Sequence, residues 1–329
     1  MKTNMKFLLV ALVAFSAFSI TSCSDDDDST TPPAVDNTIA GVASRTTNLS
    51  LLVKALTKAN LVATLQGTGP FTVFAPTDAA FIAAGYNAAT IDALPASEIP
   101  ALKTLLLNHV VSGSFQSTGL ENDSYIKTLA TTTASGTNGL SMYVTTSGGV
   151  KLNNLATVTT ANVSASNGVV HIVDKVIALP TIVDHAVAND AFTTLVSLLN
   201  RDGQPNFVSI LGGTGPFTVF APTNGAFDAL DTELTASGGI AGVSADNITK
   251  VLQYHVINGN SLSNSTLLTT NNGTVASLLG QNFTVQTTVA PPSLKIKDIN
   301  DRVCNVVLTD VQGSNGVIHV LSRVLLPTL

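Results

Sequence analysis

Two successive α+β domains are what the sequence predicts, and three observations predict them. The block GTGPFTVFAPT runs from Gly67 to Thr77 and recurs unchanged from Gly213 to Thr223, the mark of a duplicated unit. Within each copy, helical periodicity comes first and strand patterns follow. Each copy then closes on an Asn-Gly pair, Asn167-Gly168 or Asn315-Gly316, that feeds an almost wholly apolar run.

The elements follow in order. Phe71 to Phe74 is a short strand of β-favouring residues, and Pro76, which has no N–H to give a ladder, ends it. Thr77 is placed to cap the next helix, with Phe81 able to pack back across the helix start; Thr223 and Phe227 repeat the arrangement. A second helix is expected over Pro100 to Val111, with Leu102, Leu105, Leu106 and His109 on one stripe, matched by Ile248, Val251, Leu252 and His255. Both histidines therefore face the core. Asn108 and Tyr254, about 100° further round, fall at the edge of that stripe, where the Tyr254 hydroxyl is expected to reach solvent or a partner. Further strands are expected at Leu140 to Thr145, Val150 to Leu152, Phe283 to Thr287 and Leu294 to Lys297. The terminal hairpins carry Val169 to Leu179 and Val317 to Leu326, strands apolar enough to need cover on both faces, with His171 and His319 inside them.

The N-terminus has a different character. Lys2 and Lys6 precede an apolar run from Phe7 to Ile20, the pattern of a secretory signal peptide and shorter than the roughly 20 apolar residues of a membrane span. It ends in Ile20-Thr21-Ser22-Cys23, which resembles the lipobox where bacterial lipoprotein precursors are cleaved and the cysteine is diacylated. Residues 1–22 are thus expected to be a signal peptide, and Cys23 the lipidation site. Asp25 to Asp28 and the Thr-Thr-Pro-Pro stretch make residues 23–36 a polar tether with nothing to bury. The acidic run resembles the signal that sends some lipoproteins to the outer face of the outer membrane. Domain 1 is then expected over 37–180 and domain 2 over 181–329, and with no Pro/Gly/Ser-rich linker between them the copies should sit against each other.

Composition narrows function. Charged residues make up 11% of the chain and the net charge is −6, which argues against a nucleic-acid partner, since phosphate binding needs clustered Lys and Arg. There is no nucleophile elbow, no His-Glu-x-x-His helix, no P-loop and no Cys/His spacing for a metal. No enzyme, cofactor or metal is expected. Cys304, in a strand-like run, is expected to be a buried thiol. His185 has Val42 as its counterpart and so belongs to no shared site.

The TVFAPT-(Asp/Asn)-x-Ala-Phe block, the helix ending at Tyr-His, and the closing Asn-Gly-Val-(Val/Ile)-His block resemble the fasciclin domain, in order and twice. That resemblance implies a wedge of twisted β-sheet with helices against it, and a role in extracellular adhesion through protein or carbohydrate. It also implies ligand binding at the Tyr-His region, here Tyr254 and His255, with Asn108 and His109 as the first copy's altered version. The alternative is an envelope protein that spaces or decorates the surface. The Asn/Ser/Thr-rich loops from Asn258 to Asn272 and the Pro291-Pro292 loop are the places where a ligand could engage.

Overall fold

The computed structural model describes residues 35–329 apart from 271 and 290–291; the signal segment, Cys23 and nearly all of the tether lie outside them. In the first copy, helices α1 (Ile39–Arg45), α2 (Ser50–Lys58) and α3 (Val62–Gln66) precede strand β1 (Phe71–Pro76). Helices α4 (Asp78–Ala83), α5 (Ala88–Ala93) and α6 (Ile99–Leu107) follow. Strands β2 (Val110–Ser112), β3 (Ser124–Lys127), β4 (Ser141–Thr145), β5 (Lys151–Leu152), β6 (Ala156–Ala165) and β7 (Gly168–Val173) complete it. They form one seven-stranded sheet in the order β2-β1-β7-β6-β5-β4-β3.

The second copy repeats this. Helices α7 (Ile182–Ala188), α8 (Thr193–Leu199) and α9 (Phe207–Gly212) lead to β8 (Phe217–Pro222), then α10 (Asn224–Glu233) and α11 (Ala245–Tyr254). After β9 (Val256–Asn258) and α12 (Asn264–Thr269) come β10 (Thr274–Ala276), β11 (Asn282–Val289), β12 (Pro292–Lys297), β13 (Val303–Gly313) and β14 (Gly316–Leu321). The sheet order β10-β11-β12-β13-β14-β8-β9 is the first order read from the other end.

The repeated block sits at the centre of each sheet. β1 pairs in parallel with β7, Phe71 opposite Gly168 through Pro76 opposite Val173, and β8 pairs the same way with β14. Side chains alternate between faces. Val73, Ala75, Val170 and Ile172 join Leu52, Leu56, Phe81 and Leu106 in a core beneath the helices. Phe74 and Val173 pack with Met142, Val144 and Leu152 on the other face. The second copy divides likewise, with Ala221 and Ile318 on the helix side and Phe220 and Leu321 opposite. The apolar runs are therefore covered on both faces, as their composition demands.

Local chemistry sets the element ends. The Thr77 hydroxyl accepts the Ala80 N–H at 3.2 Å and Thr223 accepts that of Ala226 at 3.3 Å, which are the expected caps. Three kinds of boundary differ from expectation, the first being the closing strands, which end at Val173 and Leu321 rather than running to Leu179 and Leu326. Helix α6 stops at Leu107 rather than running to Val111, because Val110 and Val111 leave to pair with Val73 and Thr72. The hairpin turns are Ser166-Asn167 and Ser314-Asn315 rather than Asn-Gly, since Ala165 pairs with Gly168 and Gly313 with Gly316. The glycines instead open the last strands. A Cβ on Gly168, whose φ is 153°, would collide with the carbonyl oxygen of Phe71.

Candidate functional site

His109 and His255 stand just past the ends of α6 and α11, and both are buried. His109 Nδ1 donates to the Leu105 carbonyl at 2.8 Å, and Nε2 accepts the Ile177 N–H at 2.9 Å. His255 does the same with the Val251 carbonyl at 2.7 Å and the Leu325 N–H at 2.9 Å. A carbonyl can only accept and an amide N–H can only donate, so the tautomer is fixed with the proton on Nδ1. Burial drives both imidazoles down to about 4, against a smaller upward pull from the carbonyl bond. Each ring is a neutral latch between a helix end and the segment that follows the last strand.

Tyr254 departs from the expectation that its hydroxyl reaches solvent or a partner. The residue is fully buried. Its hydroxyl donates to the Asn282 carbonyl at 2.8 Å and accepts the Ile299 N–H at 3.0 Å. Its ring meets Phe283 edge-on at 5.9 Å, and burial pushes the phenol up to about 12. The stripe's edge faces solvent only where nothing packs beside it, and here β11 and the turn after β12 do. Asn108 takes the same place in the first copy. Its amide donates to the carbonyls of Ile177 and Ala178 at 3.2 and 3.1 Å, and its oxygen accepts from Thr128 at 3.3 Å. The four residues that the resemblance marks for ligand contact, Tyr254, His255, Asn108 and His109, thus have their polar atoms committed inside the fold.

His171 and His319 form a second matched pair. Nε2 of each donates at 2.8 Å, to the carbonyls of Phe115 and Leu262, and each ring stacks on the Phe of its own copy's repeated block, Phe74 or Phe220. Sequence reasoning missed the side chains of Asn167 and Asn315. Asn167 accepts the Ile39 N–H at 2.9 Å and donates to the carbonyls of Leu65 and Gly67, each at 2.8 Å. Asn315 repeats this with Ile182, Leu211 and Gly213. One turn residue so ties the first and third helices of each copy to its hairpin.

Where the copies meet, the residues are not repeated. Lys127 Nζ donates to Ser141 Oγ at 2.9 Å and to the Asp310 carbonyl, and burial lowers its ammonium to about 8. The Gln312 N–H donates to Ser141 Oγ at 2.9 Å. Tyr125 packs on the second copy's core, stands edge-on to His185 at 5.6 Å and accepts from the Asn189 amide at 3.1 Å. His185 Nε2 donates to the Gln312 carbonyl at 3.1 Å, and burial takes this ring, too, down to about 4. By hairpin register Gln312 answers to Ser164, and His185 answers to Val42. The absence of a counterpart for His185, legible in the sequence, is the signal of this junction.

Among the described residues no cluster of His, Cys, Asp and Glu could hold a metal, and no helix is long and apolar enough to cross a membrane. Cys304 is buried as expected, its thiol raised by burial and set 3.2 Å from the Arg323 carbonyl.

The family model of the Fasciclin domain matches residues 47–180 and again 190–327. The chain belongs to the fasciclin domain family. Among fasciclin relatives, Protein sll1483 of Synechocystis is 38% identical over 151 residues, 45% of this chain and 74% of that one. Human Periostin is 27% identical over 269 residues, which is 80% of this chain but 29% of Periostin. The solved FAS1 domain pair from the insect cell adhesion molecule Fasciclin I aligns with 83% of this chain and 92% of its own at 17% identity and a TM-score of 0.49. The predicted α+β fold and the resemblance both hold: each fasciclin copy is a seven-stranded sheet with helices packed on it.

Proposed function

We propose that this chain is an exported, lipid-anchored surface protein whose paired fasciclin domains bind an extracellular protein or carbohydrate without catalysing a reaction. The reading is carried by the double fasciclin match standing behind a Lys-bearing apolar leader that ends at Cys23. In it the leader is 1–22, the tether 23–36, and the domains 37–180 and 181–329. The acidic run Asp25 to Asp28 directs the protein to the outer face of the outer membrane. Tyr254, His255, Asn108 and His109 serve binding by holding the scaffold, because their polar atoms already satisfy backbone groups. Contact with a partner falls to exposed polar loops such as those between Asn258 and Asn272; the Pro291-Pro292 loop lies partly outside the described residues.

A spacer role is the second reading, favoured by the junction that fixes one copy on the other. Two measurements separate the claims. Intact-mass analysis of the membrane-bound protein should find a diacylated Cys23, and Cys23→Ala should release it; an unmodified cysteine removes the anchor. A screen of immobilised matrix proteins and glycans with the mature protein should give a saturable binder, whereas a blank screen would leave the spacer role.

A further inference from the structure

The wall of the junction that faces outward is a cleft of about 350 Å³, within the roughly 300–1,000 Å³ of small-molecule sites. One side is the loop that joins β3 to β4 in the first copy, with Thr133, Thr137 and Asn138 exposed on it. The other side is second-copy chain, with Pro216, Asn260 and Ser261. The equivalent connection in the second copy, from β10 to β11, is far shorter. The first copy's own corner, Thr68 to Pro70 beside Ser166 and Asn167, forms a depression of about 550 Å³ walled by that copy alone. The cleft at the junction differs in being walled by both copies, one of which lays its long loop across the other.

Gln312 reaches this cleft from the junction. Its backbone is fixed at both ends, the N–H to Ser141 and the carbonyl to His185. Its side chain is 1% exposed, and its Oε1 has no hydrogen-bond partner. A buried acceptor left unpaired is disfavoured, and a donor arriving from a ligand would relieve it. The first copy carries the shorter Ser164 at this register, so the amide is particular to the junction.

We infer that this inter-copy cleft, floored by the Gln312 amide and walled by hydroxyl and carboxamide side chains of both copies, is a binding site for a neutral oligosaccharide. The inference rests on the binding role proposed above and names its ligand class and place. None of the described residues lining the cleft carries a charge or an aromatic ring. A phosphate or uronate would need a cation, a peptide hot spot would need an aromatic or charged anchor, and an apolar ligand would need an apolar pocket. Sugar hydroxyls both donate and accept, and so do the side chains presented here. Pro216 and Ala134 offer the apolar patch against which a ring's C–H face can rest.

The test uses the full chain against cellotetraose, maltotetraose, mannotetraose and N-acetylchitotetraose, with trigalacturonate as the charged control, by calorimetry. One neutral oligosaccharide should bind once per chain. Thr137→Ala with Asn138→Ala, and separately Asn260→Ala with Ser261→Ala, should each weaken it by about tenfold or more while leaving the unfolding temperature unchanged, because these side chains are at the surface. Gln312→Leu should do the same, with circular dichroism to check its fold. Absence of binding to all four neutral probes, preference for trigalacturonate, or binding indifferent to both surface double variants overturns the assignment. A matrix protein that binds the double variants as well as the unaltered chain would leave the general binding role standing and remove the cleft from it.

Discussion

His255 accepts the N–H of Leu325 at 2.9 Å, the same distance at which His109 accepts that of Ile177. In both copies a single imidazole joins the helix that leads into β2 or β9 to the strand-like tail that follows the last strand. Replacing either ring by alanine strips a buried amide and a helix-end carbonyl of their partner. His255→Ala and His109→Ala should each cost about 1–3 kcal/mol, read from urea unfolding at pH 7. A midpoint unchanged in either variant would show that water enters and substitutes.

Tyr254→Phe follows the opposite course from the one its place on the helix suggests. The variant keeps the ring against Phe283 but leaves the Asn282 carbonyl and the Ile299 N–H unpaired in the interior. It should lose about 1–3 kcal/mol. A near-neutral result would mean that the outer strands relax toward solvent, which amide exchange at Ile299 would reveal.

Acid should weaken the fold across a defined window. His109, His185 and His255 are each held down to about 4 by burial, against about 6.5 in an unfolded chain. Between those values the unfolded state takes up protons that the folded state refuses. Their contribution is therefore intact above about pH 6.5 and lost as pH falls toward about 4, by up to about 3 kcal/mol per ring. Denaturation midpoints measured from pH 7.5 to 4 should fall through that range and lose part of the slope in His109→Gln.

A chain starting at Thr181 should fold and unfold cooperatively, since its sheet borrows no strand from the first copy. It loses Tyr125 over His185 and the Ser141 hydroxyl at Gln312. Its midpoint should drop, and His185 should titrate closer to 6.5 than in the full chain, as NMR of the imidazole protons would show. An aggregating product would mean that the junction is needed for folding.

Legibility in the sequence tracked the separation between partners. The Thr77 and Thr223 caps, the Leu102 and Leu106 stripe and the closing hairpins rest on spacings of a few residues, so they could be read directly. The Tyr254 hydroxyl could not, because helical geometry gives a direction and says nothing of what chain arrives there. The bond from Gln312 to Ser141 spans 171 residues, and no local pattern encodes it. The one clue lay in comparing the copies: His185, which has Val42 as its counterpart, meets Tyr125 of the other copy.

The unaltered GTGPFTVFAPT block has a consequence for how the two copies can drift apart. Its strand runs beside Gly168 or Gly316 so closely that a Cβ there would overlap the Phe71 or Phe217 carbonyl, and Gly69 and Gly215 are pressed as tightly on the Asn167 and Asn315 carbonyls. At this corner backbone meets backbone, and no compensating side-chain change elsewhere can make room. A side chain at these glycines would force the backbone apart in either copy, which accounts for the corner being identical in the two while the loops and outer strands around it differ.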